Sequence, residues 1–517
     1  MASIINLEFL PVPLTWILLP VLAVLFYLYA VHPLFVFKRM GVPGIGLPPL
    51  PIIGTAYLTL LGGVYNTQYS ASDMAPAFGV FNGMMPLLIL SDAEMLKEVF
   101  VKQFHKFVNR QPDTQDINVK PQSLQLFNLR EEAWRNVRTS LTPAFSSSKL
   151  KQITAGVNIC ADQLLENISS FVATKESFDV RELTGAFSMD TTARTIFGLE
   201  VHSQQDPQHP FITHARRALD FNFRSPLMWL YITIPGIMKP FFEMFNYHPL
   251  NKRDVSDFFD GVMDQLLELR KTDGGKGRAD LLQVMIDAHK ESDDTGAEAP
   301  KVVGKKQPLT RDDVVANGIG FFSGGFDTVS ITMSFALYHL ALDPEIQDRA
   351  REEIIEAVGN KAEVDYDAVQ KMPYLEMCVM ETLRLYPIVS FIMRVANEDT
   401  ELKSLTVPKG MVVGVPALAI HYDPARWDQP RKFIPERFTK EERGKRSQFD
   451  WLPFGAGPRN CIGMRLALLE LKVGLARVLM KYRLLTGPDT VVPLKLNKWK
   501  SFPTPTEPIR LRVEMAN

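Results

Sequence analysis

Cysteine is scarce: the 517-residue sequence contains three, Cys160, Cys378 and Cys461. Cysteines so few and so far apart exclude a disulfide framework and favour a reducing compartment. Cys160 and Cys378 are far from Cys461 in the sequence, and no group of histidines lies near it. This spacing argues against a zinc site at Cys461. The chain also lacks an excess of either charge, since 57 Lys and Arg balance 58 Asp and Glu to a net charge of −1. This balance predicts no nucleic-acid partner.

The sequence also lacks a phosphate-binding loop. The glycines between residues 41 and 46 neither follow a predicted strand nor open a predicted helix, as a nucleotide-binding loop requires. The chain therefore has no evident flavin or nicotinamide domain of its own. Electrons for any redox reaction must come from another protein.

Charge is absent from Phe9 to Val31, where the residues are almost wholly apolar. At ~1.5 Å per residue, this run is close to the ~20 residues that a bilayer span needs. Lys38 and Arg39 follow it and no Lys or Arg precedes it, so the positive-inside rule predicts a cytosolic location for the rest of the chain. A buried core helix is the alternative, and the prolines at positions 11, 13 and 20 are the main argument against a span.

Helical periodicity dominates the remainder, most clearly at Glu131 to Leu141, Leu150 to Phe171, Ser256 to Lys271, Asp312 to Leu342 and Met464 to Tyr482. Strand-like runs are fewer and shorter: Pro86 to Leu90, Met411 to Val415 and Ile509 to Val513. The sequence thus predicts a mainly α fold with small β-sheets. We divide the chain into a membrane anchor (1–38), a proline-rich hinge (39–54) and one large domain (55–517).

The strongest chemical signal is the segment from Phe454 to Gly463, FGAGPRNCIG. Gly455 and Gly457 free the backbone for tight turns and for close approach to a flat ligand. Cys461 comes just before a predicted helix, where backbone N–H groups and the helix dipole favour a thiolate. A thiolate bound to haem iron favours O–O cleavage. The alternative is a glycine-rich turn around a buried structural cysteine.

A second signal lies within a predicted helix of ~30 residues. Thr310 and Asp313 have the spacing of an N-cap, and Pro344 forbids continuation at the other end. In between, Gly324 and Thr328 lie one turn apart, which leaves a gap beside a hydroxyl. Each interior glycine costs roughly 0.5–1 kcal/mol relative to alanine. The gap is either a ligand pocket or a packing notch against another helix.

The Cys461 segment resembles the haem-binding loop of the cytochrome P-450 superfamily, Phe-x-x-Gly-x-Arg-x-Cys-x-Gly, at every fixed position. Further family motifs occur in the family's order, so the resemblance covers nearly the whole chain. It is closest to the microsomal clan of vertebrate drug- and steroid-oxidising enzymes and thromboxane synthase. The resemblance implies the cytochrome P-450 fold and haem b (iron protoporphyrin IX). Cys461 would bind the iron, with Phe454 and Gly455 beside the cofactor.

The implied enzyme is a haem-thiolate monooxygenase, an oxidoreductase that inserts one oxygen atom from O₂ into a lipophilic steroid, fatty acid or xenobiotic. The glycine pair resembles the family's Ala/Gly-Gly-x-Asp/Glu-Thr motif, which places Gly325 against the oxygen side of the haem. By the same resemblance, Thr328 is the catalytic hydroxyl, and Asp327 delivers protons through water. Val329 occupies a position that is often Thr or Ser in the family.

Several charged residues also match family motifs. Glu381 and Arg384 match Glu-x-x-Arg, and Arg437 completes a structural trio. The resemblance assigns the haem propionates to an indole and four guanidinium groups, which complement carboxylates: Trp134, Arg138, Arg459, Arg394 and Arg110. A surface charge is the alternative for each arginine. The substrate pocket would be apolar, and plain core is the alternative for each of its candidates: Phe127, Phe322, Ile388, Val389 and Phe502.

The implied electron donor is NADPH–cytochrome P-450 reductase, with cytochrome b5 as a second candidate. Arg135 and the run Arg443 to Arg446 are candidate docking residues. We expect an endoplasmic reticulum protein with a single N-terminal span and a cytosolic catalytic domain. The apolar segment Pro226 to Phe245 is a predicted second membrane contact, with a buried irregular segment as the alternative.

Two other functions stay open. One is a peroxide isomerase of the same fold, like thromboxane synthase, which needs neither O₂ nor a reductase. Thr328 argues against it, because peroxide rearrangement needs no delivery of protons to oxygen. The other is a haem-binding protein without catalysis, against which the intact oxygen-side motif argues.

Overall fold

The computed structural model describes residues 14–44, 48–58, 75–111, 120–206, 208–218, 223–245, 247, 252–273, 280–293, 308–403 and 405–516. Most of these residues are helical, so the predicted mainly α fold is confirmed. The helices are α1 (Leu14–Phe26), α2 (Val36–Arg39), α3 (Ala93–Lys97), α4 (Glu131–Leu141), α5 (Ser147–Thr174), α6 (Val180–Phe197), α7 (Pro210–Ala218), α8 (Pro226–Thr233), α9 (Pro235–Met244), α10 (Arg253–Asp273), α11 (Leu281–Asp293), α12 (Arg311–Leu342), α13 (Pro344–Val358), α14 (Tyr366–Val369), α15 (Pro373–Leu385), α16 (Ala417–Tyr422), α17 (Lys440–Gly444) and α18 (Met464–Lys481).

Short strands form small sheets at the edge of this helical body. They are β1 (Ala77–Asn82), β2 (Met85–Leu90), β3 (Phe178–Asp179), β4 (Ile392–Val395), β5 (Thr400–Leu402), β6 (Leu405–Val407), β7 (Val412–Val415), β8 (Tyr482–Leu485) and β9 (Arg510–Met515). One sheet has the order β1-β2-β7-β4, another β3-β9-β8, and β5 pairs with β6. In the first sheet β4 runs antiparallel to β7, with Arg394 opposite Val413.

The long helix α12 begins and ends where its sequence predicts. Asp313 N donates to Thr310 Oγ1 at 3.1 Å and Thr310 N donates to Asp313 Oδ2 at 2.9 Å, which completes a capping box. The helix ends at Leu342, two residues before Pro344. Its 32 residues are enough to cross the whole domain.

One face of α12 packs tightly along α6. Ser188 Oγ donates to Phe326 O at 2.6 Å, and the hydroxyl groups of Thr184 and Ser334 lie 2.7 Å apart. These contacts belong to a buried seam of small polar side chains between the two helices. Because α6 covers this face, a site on α12 must lie on another side of the helix.

The N-terminal helical segment is apolar and almost wholly exposed. Residues Trp16–Arg39 are long and apolar enough to cross a membrane by length and composition. Its last turn packs on the first sheet, where the rings of Phe37 and Phe81 lie 5.1 Å apart, and Val42 is buried in the same cluster. Phe37 and Val42 fall on either side of the predicted boundary at residue 38. The predicted anchor and hinge include residues 1–13 and 45–47, which lie outside the described residues.

Candidate active site around Cys461

The loop before α18 is closed by glycines in a conformation that other residues rarely adopt. Gly455 and Gly457 both have φ of +70°, and Cys461 N donates to Phe454 O at 2.8 Å. A Cβ on Gly457 would lie 2.0 Å from the carbonyl oxygen of Phe100. Only glycine fits at that position, so the loop lies directly against the neighbouring main chain.

The Cys461 side chain lies in the loop that precedes α18. It is accessible, yet desolvation by the surrounding protein raises the pKa of its thiol above the ordinary value. The backbone N–H groups of Gly463 and Met464 hydrogen-bond to the sulfur and oppose that rise, as do the charges of Arg138 and Arg110. The site therefore supplies hydrogen-bond donors and positive charge, which stabilise a thiolate. The thiolate is the form of cysteine that binds a metal.

The helix that follows Cys461 packs against α12. Phe145 links the two elements: its ring lies 5.9 Å from that of Phe321 on α12 and within 3.9 Å of a Cβ built on Gly463. The cysteine loop and the glycine pair of α12 therefore belong to one region of the fold.

The two glycines of α12 have different surroundings. Gly325 packs on α6, because a Cβ there would lie 3.0 Å from Thr192. Gly324 is exposed in a stretch that is otherwise buried or half-buried, and a Cβ there would meet nothing within 4 Å. Thr328 Oγ1 donates to Gly324 O at 2.8 Å. Gly325 is therefore a packing notch, whereas Gly324 borders open space beside a hydroxyl.

Four of the predicted propionate contacts form one cluster of guanidinium groups. Burial, together with repulsion by Arg110, Arg130 and Arg138, lowers the pKa of Arg459 to about 9. Burial and the charge of Arg138 lower the pKa of Arg110 to about 10. The pKa of Arg394 falls well below its ordinary value through burial and repulsion by Arg110 and Arg459. Each cation in the cluster thus lowers the pKa of its neighbours and disfavours their charged form.

Main-chain oxygens and aromatic rings hold these arginines in place. Arg138 donates to Asn460 O at 2.9 Å and to its Oδ1 at 3.0 Å, and Arg110 donates to Arg459 O at 3.1 Å. Arg459 lies 5.1 Å from the ring centroid of Trp134 and donates to Val108 O at 2.6 Å. Within the described chain, Nε of Arg394 and Nε of Arg459 are buried with no hydrogen-bond partner.

This arrangement fits haem b. Buried cations of this density are costly unless anions neutralise them. Haem propionates are such anions, and guanidinium groups and the indole N–H complement them. The tight glycine turns allow a flat ring to approach, and the Cys461 sulfur is the type of donor that binds haem iron.

The Glu381–Arg384–Arg437 trio is completely enclosed. Arg384 Nε donates to Glu381 Oε2 at 2.7 Å, and Arg437 Nε donates to Glu381 Oε1 at 3.2 Å. Arg384 also donates to His421 O at 2.7 Å, and Leu452 N donates to His421 Nε2 at 2.8 Å. The trio therefore connects α15 to the segment that leads into the cysteine loop, and breaking a buried pair of this kind costs about 3–5 kcal/mol.

Asp327 has a partner that the sequence does not reveal. Arg181 Nη2 on α6 donates to Asp327 Oδ1 at 2.6 Å. Burial raises the pKa of Asp327, while the charges of Arg181, Lys500 and Arg216 oppose that rise. Arg181 stands 146 residues away in the chain, and no local pattern marks it.

The predicted pocket residues divide between exposed and buried positions. Phe127 is 57% exposed with its ring 4.1 Å from the Arg110 guanidinium, Val389 is exposed, Phe502 is half-buried and Ile388 is buried. Phe322 differs from the prediction, because it is completely buried within an aromatic cluster. Its ring packs on neighbouring phenylalanines instead of bordering an accessible space.

The chain is similar to known proteins along nearly its whole length. The family model described as Cytochrome P450 matches residues 44–513. Cytochrome P450 3A9 of Rattus norvegicus is 35% identical over 499 residues, 96% of this chain and of that protein. Cytochrome P450 3A11 of Mus musculus is 36% identical over 501 residues, with the same coverage of 96%. Cytochrome P450 3A31 of Mesocricetus auratus is 36% identical over 514 residues, 99% of this chain and 98% of that protein.

Proposed function

The chain belongs to the cytochrome P450 family of haem b monooxygenases, and on that premise we propose that Cys461 binds the iron of an enzyme that oxidises lipophilic small molecules with O₂. The observation that carries the proposal is a desolvated sulfur that accepts two backbone N–H groups beside a cluster of buried arginines. Bound haem supplies the iron that activates O₂. The chain's own residues hold it, exclude water and manage protons.

Haem binding is assigned to the arginine cluster and to the turn that leads to Cys461. Arg110, Arg138, Arg394 and Arg459 with Trp134 would hold the propionates, since these cations lie together and the two unpartnered Nε atoms are buried among them. Phe454 and Gly455 would border the ring, because they form the turn that leads to Cys461. Each propionate contact of this kind contributes about 1.5–3 kcal/mol as a charge-assisted hydrogen bond.

Proton delivery is assigned to Thr328 and Asp327. The Thr328 hydroxyl donates its own proton to Gly324 O, so its lone pairs are left to accept a hydrogen bond beside the open space at Gly324. Asp327 is the adjacent acid, and its carboxyl oxygens exchange protons with water. Together the two side chains determine the position from which a proton is delivered to oxygen.

The substrate is a lipophilic small molecule of the steroid, fatty acid or xenobiotic class. Phe127, Ile388, Val389 and Phe502 are the proposed contacts, and their apolar side chains favour such a ligand. Phe322 is not among these contacts, because it is completely buried in an aromatic cluster.

The electron donor is NADPH–cytochrome P450 reductase, with cytochrome b5 as a further partner. Arg135, Arg443 and Lys445 carry exposed charges that suit an acidic partner. Arg446 of the same predicted run is partly buried and donates to Arg437 O at 2.9 Å, so it fastens the fold instead.

The protein is anchored in the endoplasmic reticulum membrane by its N-terminal helix, with the catalytic domain in the cytosol. A second contact involves α8 and α9. Met228, Tyr231 and Phe242 are buried, and four more large apolar side chains are half-buried: Trp229, Ile232, Ile234 and Met238. The remaining large apolar side chains of this segment are exposed: Leu227, Leu230, Ile237, Phe241, Met244 and Phe245. A contiguous exposed apolar patch of this kind fits the boundary of a bilayer.

The test is reconstitution with the reductase, a panel of lipophilic substrates and ¹⁸O₂. We expect product that contains one ¹⁸O atom per turnover and that depends on both NADPH and the reductase. Turnover of a peroxide substrate without reductase would support the isomerase alternative instead.

A further inference from the structure

The side chain of Asn317, in the first half of α12, holds the main chain of a loop formed by residues 121–129. Leu126 N donates to Asn317 Oδ1 at 2.7 Å, and Asn317 Nδ2 donates to Leu124 O at 3.2 Å. Nδ2 also donates to Asp313 O on the same helix at 2.8 Å, which fixes the orientation of the amide. An amide side chain suits this position because it carries both a donor and an acceptor.

This contact is buried and closely packed. Asn317 is 1% exposed and Leu126 is 8% exposed. Leaving a buried polar group without its partner costs more than the hydrogen bond itself contributes, so the loop has one favoured position here. About one turn further along α12, a Cβ on Gly320 would lie 3.1 Å from Cγ of Gln125. The loop therefore lies directly on the helix.

The other side of the 121–129 loop contacts the arginine cluster. Arg459 Nη2 donates to Phe127 O at 3.1 Å and also to Leu129 O. The guanidinium group of Arg110 lies 4.1 Å from the ring centroid of Phe127. The loop thus spans the distance from α12 to the proposed propionate arginines, and it carries the exposed Phe127 ring between these two attachments.

The attachment on α12 shares a helix face with the oxygen-side residues. Four residues follow each other at intervals of three or four and so lie on one face of α12: Asn317, Gly320, Gly324 and Thr328. The loop is held about two to three turns before Thr328 on that face. A shift of the loop would therefore move Phe127 relative to the open space at Gly324 and would leave the hydroxyl of Thr328 in place.

We propose that Asn317 is a specificity-determining positioning residue: it fixes the 121–129 loop on α12 and thereby sets where Phe127 meets the substrate. The inference rests on the proposed substrate contact of Phe127. Asn317 takes no part in the chemistry, and the cysteine loop does not depend on it. Its loss should therefore change which lipophilic molecules bind, while the haem is retained.

The first test measures the position of the loop without turnover, by hydrogen–deuterium exchange and mass spectrometry of the haem-loaded protein. Asn317→Leu removes both hydrogen bonds at nearly constant volume. Exchange in the peptide that covers residues 121–129 should become about tenfold faster, because Leu126 N loses its acceptor. A loop that exchanges at the wild-type rate in Asn317→Leu would contradict the inference.

The matched control is Gln347→Leu. Gln347 lies on α13, is also 1% exposed and holds a distant main chain in the same way. Leu484 N donates to Gln347 Oε1 at 2.7 Å, and Gln347 Nε2 donates to Leu484 O at 3.1 Å. This variant loses an equivalent buried amide contact, and exchange in the 121–129 loop should stay at the wild-type rate.

The second test measures selectivity, as dissociation constants of progesterone and lauric acid from the shift of the haem absorption band. Asn317→Leu should change the ratio of the two constants about tenfold, with normal haem content. Phe127→Ala should change the ratio as well. Adding Asn317→Leu to Phe127→Ala should then have little further effect, because Asn317 acts through Phe127. Gln125→Ala removes packing without exposing a buried polar group, and it should shift the ratio in the direction of Asn317→Leu, even if that variant fails to fold.

The outcomes separate the inference from the function on which it rests. A changed ratio in Asn317→Leu that depends on Phe127, with a wild-type ratio in Gln347→Leu, supports the inference. If Phe127→Ala changes the ratio but Asn317→Leu and Gln125→Ala do not, the inference is wrong and the substrate contact of Phe127 stands. If Phe127→Ala has no effect, or if wild type binds neither probe, the proposed substrate contact fails and the inference fails with it. An equal change in Gln347→Leu also contradicts the inference, since any loss of stability would then have the same effect.

Discussion

Thr195 Oγ1 on α6 donates to Glu470 Oε1 on α18 across 3.5 Å, and both side chains are buried. A hydrogen bond at that distance is weak. Burial therefore dominates and raises the pKa of Glu470 to about 8, with only a small opposing effect from Thr195. The folded protein thus keeps a neutral carboxylic acid in its core near neutral pH.

This acid predicts a pH-dependent stability. Because the folded pKa lies above the unfolded value, stability should fall as pH rises from about 4.5 to about 8. At pH 7 the loss amounts to roughly 3 kcal/mol. Glu470→Gln removes this pH-dependent loss. In urea unfolding, the free energy of unfolding of the variant should therefore rise relative to wild type progressively between pH 5 and pH 8. An equal difference at both pH values contradicts this account of Glu470.

Arg394 should affect the haem-free and haem-loaded proteins in opposite directions. Its buried Nε has no partner within the described chain, and its neighbours are cations. Arg394→Met should raise the thermal midpoint of the haem-free protein, because an uncompensated buried charge is removed. The same change should accelerate haem loss by about 10- to 100-fold, the equivalent of one charge-assisted hydrogen bond.

Haem loss is measured by transfer to an excess of apomyoglobin. Arg483→Met, which removes a partly exposed arginine paired with Asp348 at 2.9 Å, is the matched control and should retain haem normally. A wild-type rate of haem loss in Arg394→Met would remove Arg394 from the propionate set.

Much of the fold follows from local sequence, because helix position depends on neighbours a turn away. The predicted Glu131 to Leu141 matches α4, and the Thr310 cap and Pro344 bound α12 within a residue or two. Strands β1 and β4 were not predicted. Each is short and is stabilised by hydrogen bonds to its partner strand, β2 for β1 and β7 for β4.

The candidate site is predictable where a motif is continuous and unpredictable where it depends on tertiary contacts. The Cys461 loop and the α12 glycines are local patterns, so their residues can be read directly. Arg181 and Glu470 look like ordinary helix surface residues in the sequence, and only packing against distant elements gives them a partner or burial. For the same reason the sequence left Phe322 open between pocket and core, since helical spacing does not distinguish a pocket wall from a core.

Thr328→Ala should uncouple the enzyme without affecting cofactor binding. The hydroxyl beside Gly324 would be lost, so protons would reach the wrong oxygen more often. We expect about tenfold less product per NADPH, with hydrogen peroxide in its place and normal haem content. Thr332→Ala is a control on the same helix, because that hydroxyl is buried and bonded to Thr328 O. An isomerase would be indifferent to Thr328→Ala and would turn over without reductase.

The second membrane contact predicts that truncation leaves residual binding. Removing residues 1–31 deletes α1 but keeps Phe37, which packs on Phe81 and is needed by the fold. This truncated protein should fold with haem and still sediment with liposomes. Adding Ile237→Asp and Phe245→Asp, both at exposed positions of the α9 region, should abolish sedimentation. Complete loss of binding in the truncated protein alone would show that α8 and α9 do not contact the bilayer.

The central claim is that Cys461 is the thiolate ligand of the iron. The most direct measurement is the absorption spectrum of the dithionite-reduced protein under carbon monoxide. Wild type and Cys160→Ser, whose cysteine is buried in a different part of the core, should show the red-shifted band that marks thiolate ligation. Cys461→Ser should lose that band. If Cys461→Ser retains it, Cys461 is not the ligand and the account of the site is wrong.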